Sequence, residues 1–357
     1  MASYTTANDR PADGRRLRVA VIGCGRMGQR HALNLHNLTP RAHLVALCDP
    51  SPAAAEWAAS HLPQVPLHTD PEAVFAAADV DAVVIATITA THGPLTLRAI
   101  AAGKHVLLEK PIALDVDDAR PVVAAVEASS VKVMLGFVRR FDAALQQLEG
   151  HLRGSGGKTY LLKSTTQDPY DTSGFFLQYA PHSGGIYTDC GIHDIDMARW
   201  LLREPVKSVY AAGSTTLIPE LTALGDVDNA LAIITFASGA QATLHLSRTG
   251  MGGYESVVEA FGTGGKAVVD TPPACRVAVT DGLGRRLPGA GPSYIDRFGD
   301  AFVREAAAFV DCVLDDTPVP TTARDALLAG LIAKALTHSL KTGLPVLFDD
   351  DGEPVLA

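Results

Sequence analysis

The chain has no run of about 18 apolar residues, the least a membrane-spanning helix needs, so no membrane partner is expected. It has no excess of basic charge. The net charge is −9, which argues against nucleic acid as a partner. It has no paired-cysteine signature: Cys24, Cys48, Cys190, Cys275 and Cys312 are scattered with no CxxC spacing, a pattern that fits free thiols in a reducing, cytoplasmic setting. No internal repeat and no low-complexity tract is present. Residues 1–15 are polar and mixed, lack the apolar segment of a signal peptide, and read as a loose tail. What remains is 357 residues, 47% hydrophobic and 19% charged, the composition of a globular chain with ample core and two domains as the natural expectation.

Leu17 to Ile22 is a short apolar, β-branched run, as in a buried parallel strand. It leads into Gly23-Cys24-Gly25-Arg26-Met27-Gly28 and then a helical pattern from Gln29 to Leu38. In a GxGxxG placed between strand and helix, the first glycine permits the tight turn. The second lets a pyrophosphate approach the backbone, and the third lets helix and strand pack closely. The helix start supplies N–H groups and a positive dipole end for the phosphates. A second strand, Leu44 to Cys48, ends at Asp49, 21 residues after Gly28. An acid there hydrogen-bonds the adenosine ribose and repels a 2′-phosphate, favouring NAD over NADP; no basic residue follows at once to receive such a phosphate. The alternative is that Asp49 caps the helix starting near Pro52.

Further strands read at Asp81 to Thr87 and Lys104 to Leu108, separated by Thr89 to Pro94 and a helix that stops at Gly103. This alternation means a doubly wound parallel sheet, with ligands at the C-terminal strand ends. Thr87, His92, Glu109 and Lys110 fall at such ends. Lys110, between Glu109 and Pro111, is placed to lie beside a nicotinamide, or is an ordinary surface lysine.

Later in the chain, Gly184-Gly185 makes a turn and a helix is expected to run on through Leu202. Asp189 and His193 would then share one face at i,i+4, a carboxylate beside the side chain that most readily trades a proton near neutral pH. The same pair fits a metal site, for which no third ligand has telling spacing, or an exposed helix salt bridge. No metal is expected.

These motifs together resemble the glucose–fructose oxidoreductase, inositol dehydrogenase and rhizopine-catabolism family. The matching residues are Gly23 to Gly28, His92, Glu109-Lys110-Pro111, and Gly184-Gly185 followed by Asp189 and His193-Asp194-Ile195-Asp196. The resemblance spans nearly the whole chain after the tail. It implies an α/β protein with an N-terminal Rossmann doubly wound parallel sheet (residues 16–136). A C-terminal α+β domain (137–357) with an open-faced, antiparallel-rich mixed sheet would bind substrate and form oligomers. It implies NAD-dependent oxidation of a cyclitol or sugar hydroxyl, most like an inositol 2-dehydrogenase, with Lys110, Asp189 and His193 in the catalytic positions. Cofactor contacts are then expected from Gly23, Gly25, Arg26, Met27, Gly28, Asp49, Thr87, His92, Glu109 and Lys110. Lys110, Asp189 and His193 would contact the substrate, a polyol or sugar. Sheet-on-sheet pairing would give a homodimer or homotetramer. Another sugar, anhydrosugar or aldose dehydrogenase, or a ketose reductase, is the alternative inside the family. A non-catalytic NAD-sensing regulator is the alternative outside its chemistry.

Three further residues carry two readings each. Arg139, in Gly136-Phe137-Val138-Arg139-Arg140-Phe141, contacts cofactor or substrate, or is one of two solvated arginines in a crossover. Asp168, before Pro169, faces substrate or forms an Asp-Pro turn. Tyr254, just before a strand, contacts substrate or is a rim aromatic. Asp171 to Ser183 reads as a loop whose aromatics cover a ring face, fill a small core or meet another subunit. Asn229–Phe236 with Gln241–Ser247, and Ser256–Phe261 with Lys266–Asp270, read as hairpins. Ile295, Phe298, Phe302, Ala306, Phe309 and Val313 form one buried helical stripe, and Thr321 to Lys341 a second helix. Tyr294 and Arg297 pack there or edge the site.

Overall fold

The computed structural model describes residues 14–270, 279–281, 284–286 and 293–356. Cys275 lies outside them. Sixteen strands are present among the described residues: β1 Leu17–Ile22, β2 Ala42–Cys48, β3 Leu67–His68, β4 Ala82–Ile85, β5 His105–Leu108, β6 Val133–Leu135, β7 Thr159–Pro169, β8 Val206–Ser214, β9 Asn229–Phe236, β10 Gln241–Gly250, β11 Glu255–Gly262, β12 Gly265–Val269, β13 Val279–Asp281, β14 Gly284–Arg286, β15 Val346–Phe348 and β16 Pro354–Val355. The α-helices are α1 Arg26–Asn37, α2 Pro52–His61, α3 Pro71–Ala76, α4 Thr89–Ala101, α5 Val116–Glu127, α6 Ala143–Arg153, α7 Phe175–Tyr179, α8 Ile186–Asp189, α9 Ile192–Leu202, α10 Tyr294–Leu314 and α11 Ala323–Thr342. No helix among them is long and apolar enough to cross a membrane.

The chain divides into two compact units. The first holds the described residues up to Phe141 together with Asp300–Leu327; the second holds Asp142–Gly299 and Leu328 onward. The expected division at 136/137 is close to the first boundary, but the second part is not one continuous segment: residues 300–327 return to the first unit. The cause is packing. The α10 stripe residues Phe302, Ala306 and Phe309 are buried, Phe302 against the His31 ring, and Thr321 bonds the β6 backbone in both directions.

In the first unit, parallel strands lie in the order β3-β2-β1-β4-β5-β6, a doubly wound sheet. Val19, Ala20, Val21 and all of β4 are buried, as central parallel strands with both faces covered must be. Helix α4 begins at Thr89, earlier than expected after Pro94. Pro94 sits inside it, and the carbonyl that loses its helical donor belongs to exposed Ala90.

In the second unit an eight-stranded mixed sheet runs β12-β11-β7-β10-β9-β8-β15-β16. Only β7 and β10 pair in parallel; the other ladders are antiparallel. The β9–β10 turn is made at Gly239, whose φ of 86° is the left-handed conformation that glycine tolerates. Alternation along β9 buries Ala230, Ala232, Ile234 and Phe236 and leaves Leu231 and Ile233 exposed. Tyr210 pairs with Ile233, and both stand exposed on the outward face of the sheet; along the same row Thr243, Lys163 and Glu259 separate them from exposed Val268. Helix α9 packs on β7, with Ile192, Ile195, Met197 and Ala198 buried.

The segment expected as a loop at 171–183 contains α7 and a 3-10 turn, Ala180–His182. Asp171 organises it. Its Oδ1 accepts from the Ser173 backbone N–H and its Oδ2 from the Phe176 N–H, which hold its carboxyl below the usual range. These bonds satisfy donors of a helix too short to form by propensity.

Candidate active site

The glycine loop in the first unit separates three steric roles. Gly23 has φ 90°, and a Cβ there would lie 2.6 Å from the Ala86 carbonyl oxygen. A Cβ on Gly28 would collide with the Gly23 carbonyl oxygen. Gly25 is different: its φ is −71° and, among the described residues, nothing lies within 4 Å of an added Cβ. The protein itself does not require glycine at position 25, whereas a ligand lying against that backbone does. Helix α1 starts at once with Arg26 and Met27, with no capping side chain and no acid in its first turn. A helix start of this kind, with its positive dipole end and no acid in its first turn, suits an anion.

Asp49 stands beside this loop. Its Oδ2 accepts the Cys24 backbone N–H at 2.7 Å and its Oδ1 accepts the Ser51 N–H at 2.8 Å. Ser51, not Asp49, caps α2, by accepting from the Ala54 N–H. The capping reading of Asp49 gives way to an acceptor held at the strand end against the glycine loop. The open cradle at Gly25, the uncapped helix start and this carboxylate fit a dinucleotide without a 2′-phosphate.

At the next strand ends, Thr87 Oγ1 accepts from Thr91 Oγ1 at 2.7 Å. His92 is buried, with Nδ1 2.7 Å from the Pro111 carbonyl oxygen and Nε2 3.1 Å from that of Thr87. Burial pushes its pKa down, against the pull of both carbonyls. His92 thus joins the end of β4 to the segment after β5. Lys110 precedes a cis peptide bond to Pro111 and is half-buried, unlike a surface lysine. Glu109 turns inward and its Oε1 lies 2.7 Å from Nε2 of buried His31. Burial alone would raise the Glu109 carboxyl, but His31, Lys110 and His92 hold it below its ordinary value. Neither arginine of the 3-10 turn Val138–Phe141 is solvated, which corrects the crossover reading. Arg139 is 3% exposed, and Arg140 is paired with Asp325 at 3.3 Å.

In the second unit, Gly184 and Gly185 have φ 78° and 87° and open the expected turn. The helix that follows is not continuous. It stops at Asp189, and α9 starts at Ile192; the Gly191 N–H reaches back five residues to the Ile186 carbonyl at 2.8 Å. Close packing restricts the join to glycine: a Cβ on Gly191 would lie 2.7 Å from Leu246 Cδ1 and 3.2 Å from Tyr187 Cα. Simple i,i+4 spacing therefore does not place Asp189 and His193; the α8–α9 join does. Asp226 Oδ1 accepts the Ile186 N–H at 2.9 Å and so caps α8 from a distance. Asp194, fully buried, accepts from Thr166 Oγ1 at 2.9 Å and from Ser164 Oγ, fixing the residue next to His193 onto β7.

Asp189 is mostly buried and paired with Arg248, so the exposed-salt-bridge reading does not hold. Nη1 of Arg248 donates to Asp189 Oδ2 at 3.2 Å, and Tyr179 Oη donates to Oδ1 at 3.3 Å. The thiol of Cys190, between Asp189 and His193, is fully buried and pushed well above its ordinary pKa, chiefly by burial, so it is no nucleophile. Asp168 lies within β7 and is half-buried, so it is not a turn residue. Tyr254 is 4% exposed, with its ring edge against Tyr294 and Phe298 at 6.3 and 6.1 Å; it is not a rim aromatic. Arg297 pairs with Asp142 at 2.8 Å.

Sequence reasoning passed over Arg248 and treated Asp194 only as part of a motif. A signal for Arg248 exists. Counting by two along β10 from Ala242 through Leu244 and Leu246 puts Arg248 on the buried register, and a charge there has to be paired.

Residues 17–137 match the GFO/IDH/MocA model described as an oxidoreductase family with an NAD-binding Rossmann fold, and residues 151–268 match the GFO/IDH/MocA C-terminal domain. The chain is 34% identical over 334 residues to the scyllo-inositol 2-dehydrogenase (NAD(+)) of Bacillus subtilis, covering 93% of this chain and 96% of that one. It is 33% identical to the myo-inositol 2-dehydrogenase of Thermotoga maritima, covering 91% and 96%. The structure of scyllo-inositol dehydrogenase from Lactobacillus casei with bound NAD(H) and scyllo-inositol superposes with a TM-score of 0.88 at 30% identity, over 93% of this chain and 99% of that one. The chain belongs to the GFO/IDH/MocA family of oxidoreductases.

Proposed function

We propose that this chain is an NAD-dependent inositol 2-dehydrogenase that oxidises one ring hydroxyl of a cyclitol to a ketone. The observation that carries the reading is the acid–histidine pair Asp189 and His193, set by the α8–α9 join, in a family whose matched relatives are inositol dehydrogenases.

The first unit holds the dinucleotide. Gly23 and Gly28 shape the loop, Gly25 leaves room for the pyrophosphate, and the N–H groups at Arg26 and Met27 face it. Asp49 accepts from the adenosine ribose hydroxyls. Thr87 lines the nicotinamide edge, and His92 and Glu109 support that edge from behind, through Pro111 and His31. NAD, when bound, supplies the acceptor for the hydride.

His193 is the general base. Its Nδ1 is buried, so Nε2 takes the hydroxyl proton, and returns it in the direction of ketone reduction. Asp189 stabilises the resulting imidazolium and orients the substrate. Lys110 donates to the reacting oxygen and favours its loss of a proton. Asp168, Arg139 and Tyr254 complete the substrate contacts. A second copy of the chain covers the outward face of the eight-stranded sheet, giving a homodimer or homotetramer; Tyr210, Leu231 and Ile233 on adjacent strands there are each at least 42% exposed. The four described cysteines are free thiols, the state a reducing cytoplasm maintains, and we place the enzyme there.

The test is a screen of NAD and NADP reduction over inositol isomers and common sugars. NADH formation with myo- or scyllo-inositol is expected. Preference for an aldose would move the assignment within the family, and tight NAD binding without turnover on any substrate would favour a sensing role.

A further inference from the structure

Arg248 is 5% exposed, yet only one of its three guanidinium nitrogens is bonded among the described residues: Nη1 reaches Asp189, while Nε and Nη2 are buried without an acceptor. It is nonetheless a cation. Burial opposes its charge, but Asp189, Asp226 and Asp168 outweigh that. A buried ion pair of this kind is a poor source of stability, since an apolar pair of similar size often does as well. The arrangement does fix direction. The guanidinium carbon lies over the Phe176 ring, 4.4 Å from its centroid, so the cation is held against an aromatic face on one side. Phe176 sits in α7 three residues before Tyr179, whose hydroxyl reaches the other Asp189 oxygen at 3.3 Å. Each carboxylate oxygen of Asp189 thus has its own donor, both donors depend on α7, and neither comes from the helix that carries Asp189.

We propose that Arg248 is a positioning residue that clamps Asp189 in a single orientation, with Phe176 holding the guanidinium on one side. This rests on the assignment of Asp189 to the catalytic group. The carboxylate is then preset before substrate arrives, and the energy of ordering it is not drawn from the transition state. Lysine at this position carries charge but neither the planar fork nor the stacking face.

The experiment compares R248M, R248K and F176L with the parent in NAD-coupled inositol oxidation and in NADH binding, and adds D189N and R248M/D189N. R248M is expected to lower kcat by up to about 100-fold, the scale of a misplaced catalytic group, with the inositol KM changed less and the NADH dissociation constant unchanged. R248K is expected to recover part of the loss, and F176L to show a smaller one. R248M/D189N is expected to be no slower than D189N alone. Near-parental kcat in both R248M and F176L, or losses in R248M and D189N that multiply in the double variant, would overturn the proposal. Should the parent oxidise no inositol, the functional reading fails separately. The pairing is then decided by thermal unfolding of the same set: non-additive Tm changes for R248M and D189N support the clamp, and additive ones refute it.

Discussion

The Asp49 carboxylate and the Cys24 backbone N–H are joined at 2.7 Å, so the end of β2 and the glycine loop are one hydrogen-bonded unit. Asp49 is therefore positioned by the same backbone that would receive the pyrophosphate. Its second oxygen accepts from Ser51 in a local turn, and no cation follows in Pro50-Ser51. An acceptor held this way favours two ribose hydroxyls and opposes a phosphate. D49S should lower kcat/KM with NAD and raise it with NADP. A charge-assisted hydrogen bond is worth about 1.5–3 kcal/mol, so the ratio should move by roughly 10- to 100-fold. Steady-state kinetics with both dinucleotides read this directly, and an unchanged ratio would remove Asp49 from cofactor choice.

The loop glycines should separate under substitution. G28A forces a Cβ onto the Gly23 carbonyl oxygen, where backbone has to move. Overpacking of this kind costs about 1–3 kcal/mol or more and should lower Tm. Among the described residues G25A meets no atom within 4 Å, and its φ is ordinary. Its Tm should stay at the parental value while NADH affinity, followed by fluorescence, falls. Equal loss of affinity and no loss of Tm in both variants would contradict the division of roles.

His193 follows directly after the α8–α9 join, and its neighbour Asp194 is fixed to β7. As the general base it should contribute about 10²–10⁴-fold in kcat. H193A should show that loss with NADH binding intact, because the glycine loop belongs to the other unit. Near-parental turnover in H193A would end the assignment.

The sequence made the local devices legible. The strand–glycine loop–helix, Asp49 at a strand end, the two hairpins and the α10 stripe all rest on spacings of a few residues. Devices joining distant parts of the chain were not legible. Arg248 and Asp189 are separated by 59 positions, and Thr321 bonds β6 from 186 residues away. The join between α8 and α9 was hidden for another reason. Gly191 is a weak helix former that reads equally as an isolated glycine inside one helix, and only the reach of its N–H over five residues to the Ile186 carbonyl shows the interruption. The short helix α7 escaped because its support comes from the Asp171 side chain rather than from any apolar period.

Glu305 provides a test in which the sign depends on pH. It lies on α10 one turn after Phe302, fully buried, and neither carboxyl oxygen has a hydrogen-bond partner among the described residues. Burial, and then the charge of Glu109, push its pKa well above the ordinary 4.5. Glu109 moves the other way because His31 bonds it. The two acids are thus pushed in opposite directions. A folded-state pKa raised above the unfolded value means stability that is complete below about pH 4.5. It is lost as pH rises towards the folded value, because the unfolded chain releases this proton first. E305Q keeps the shape and removes the titration. Its stability in urea should differ from the parent by a constant amount near pH 4. Above pH 4.5 it should gain on the parent by up to about 1.4 kcal/mol per pH unit, until the folded carboxyl itself ionises. Parallel curves for parent and E305Q from pH 5 to 8 would show that Glu305 is ionised in the fold, and that a partner stabilises its charge there.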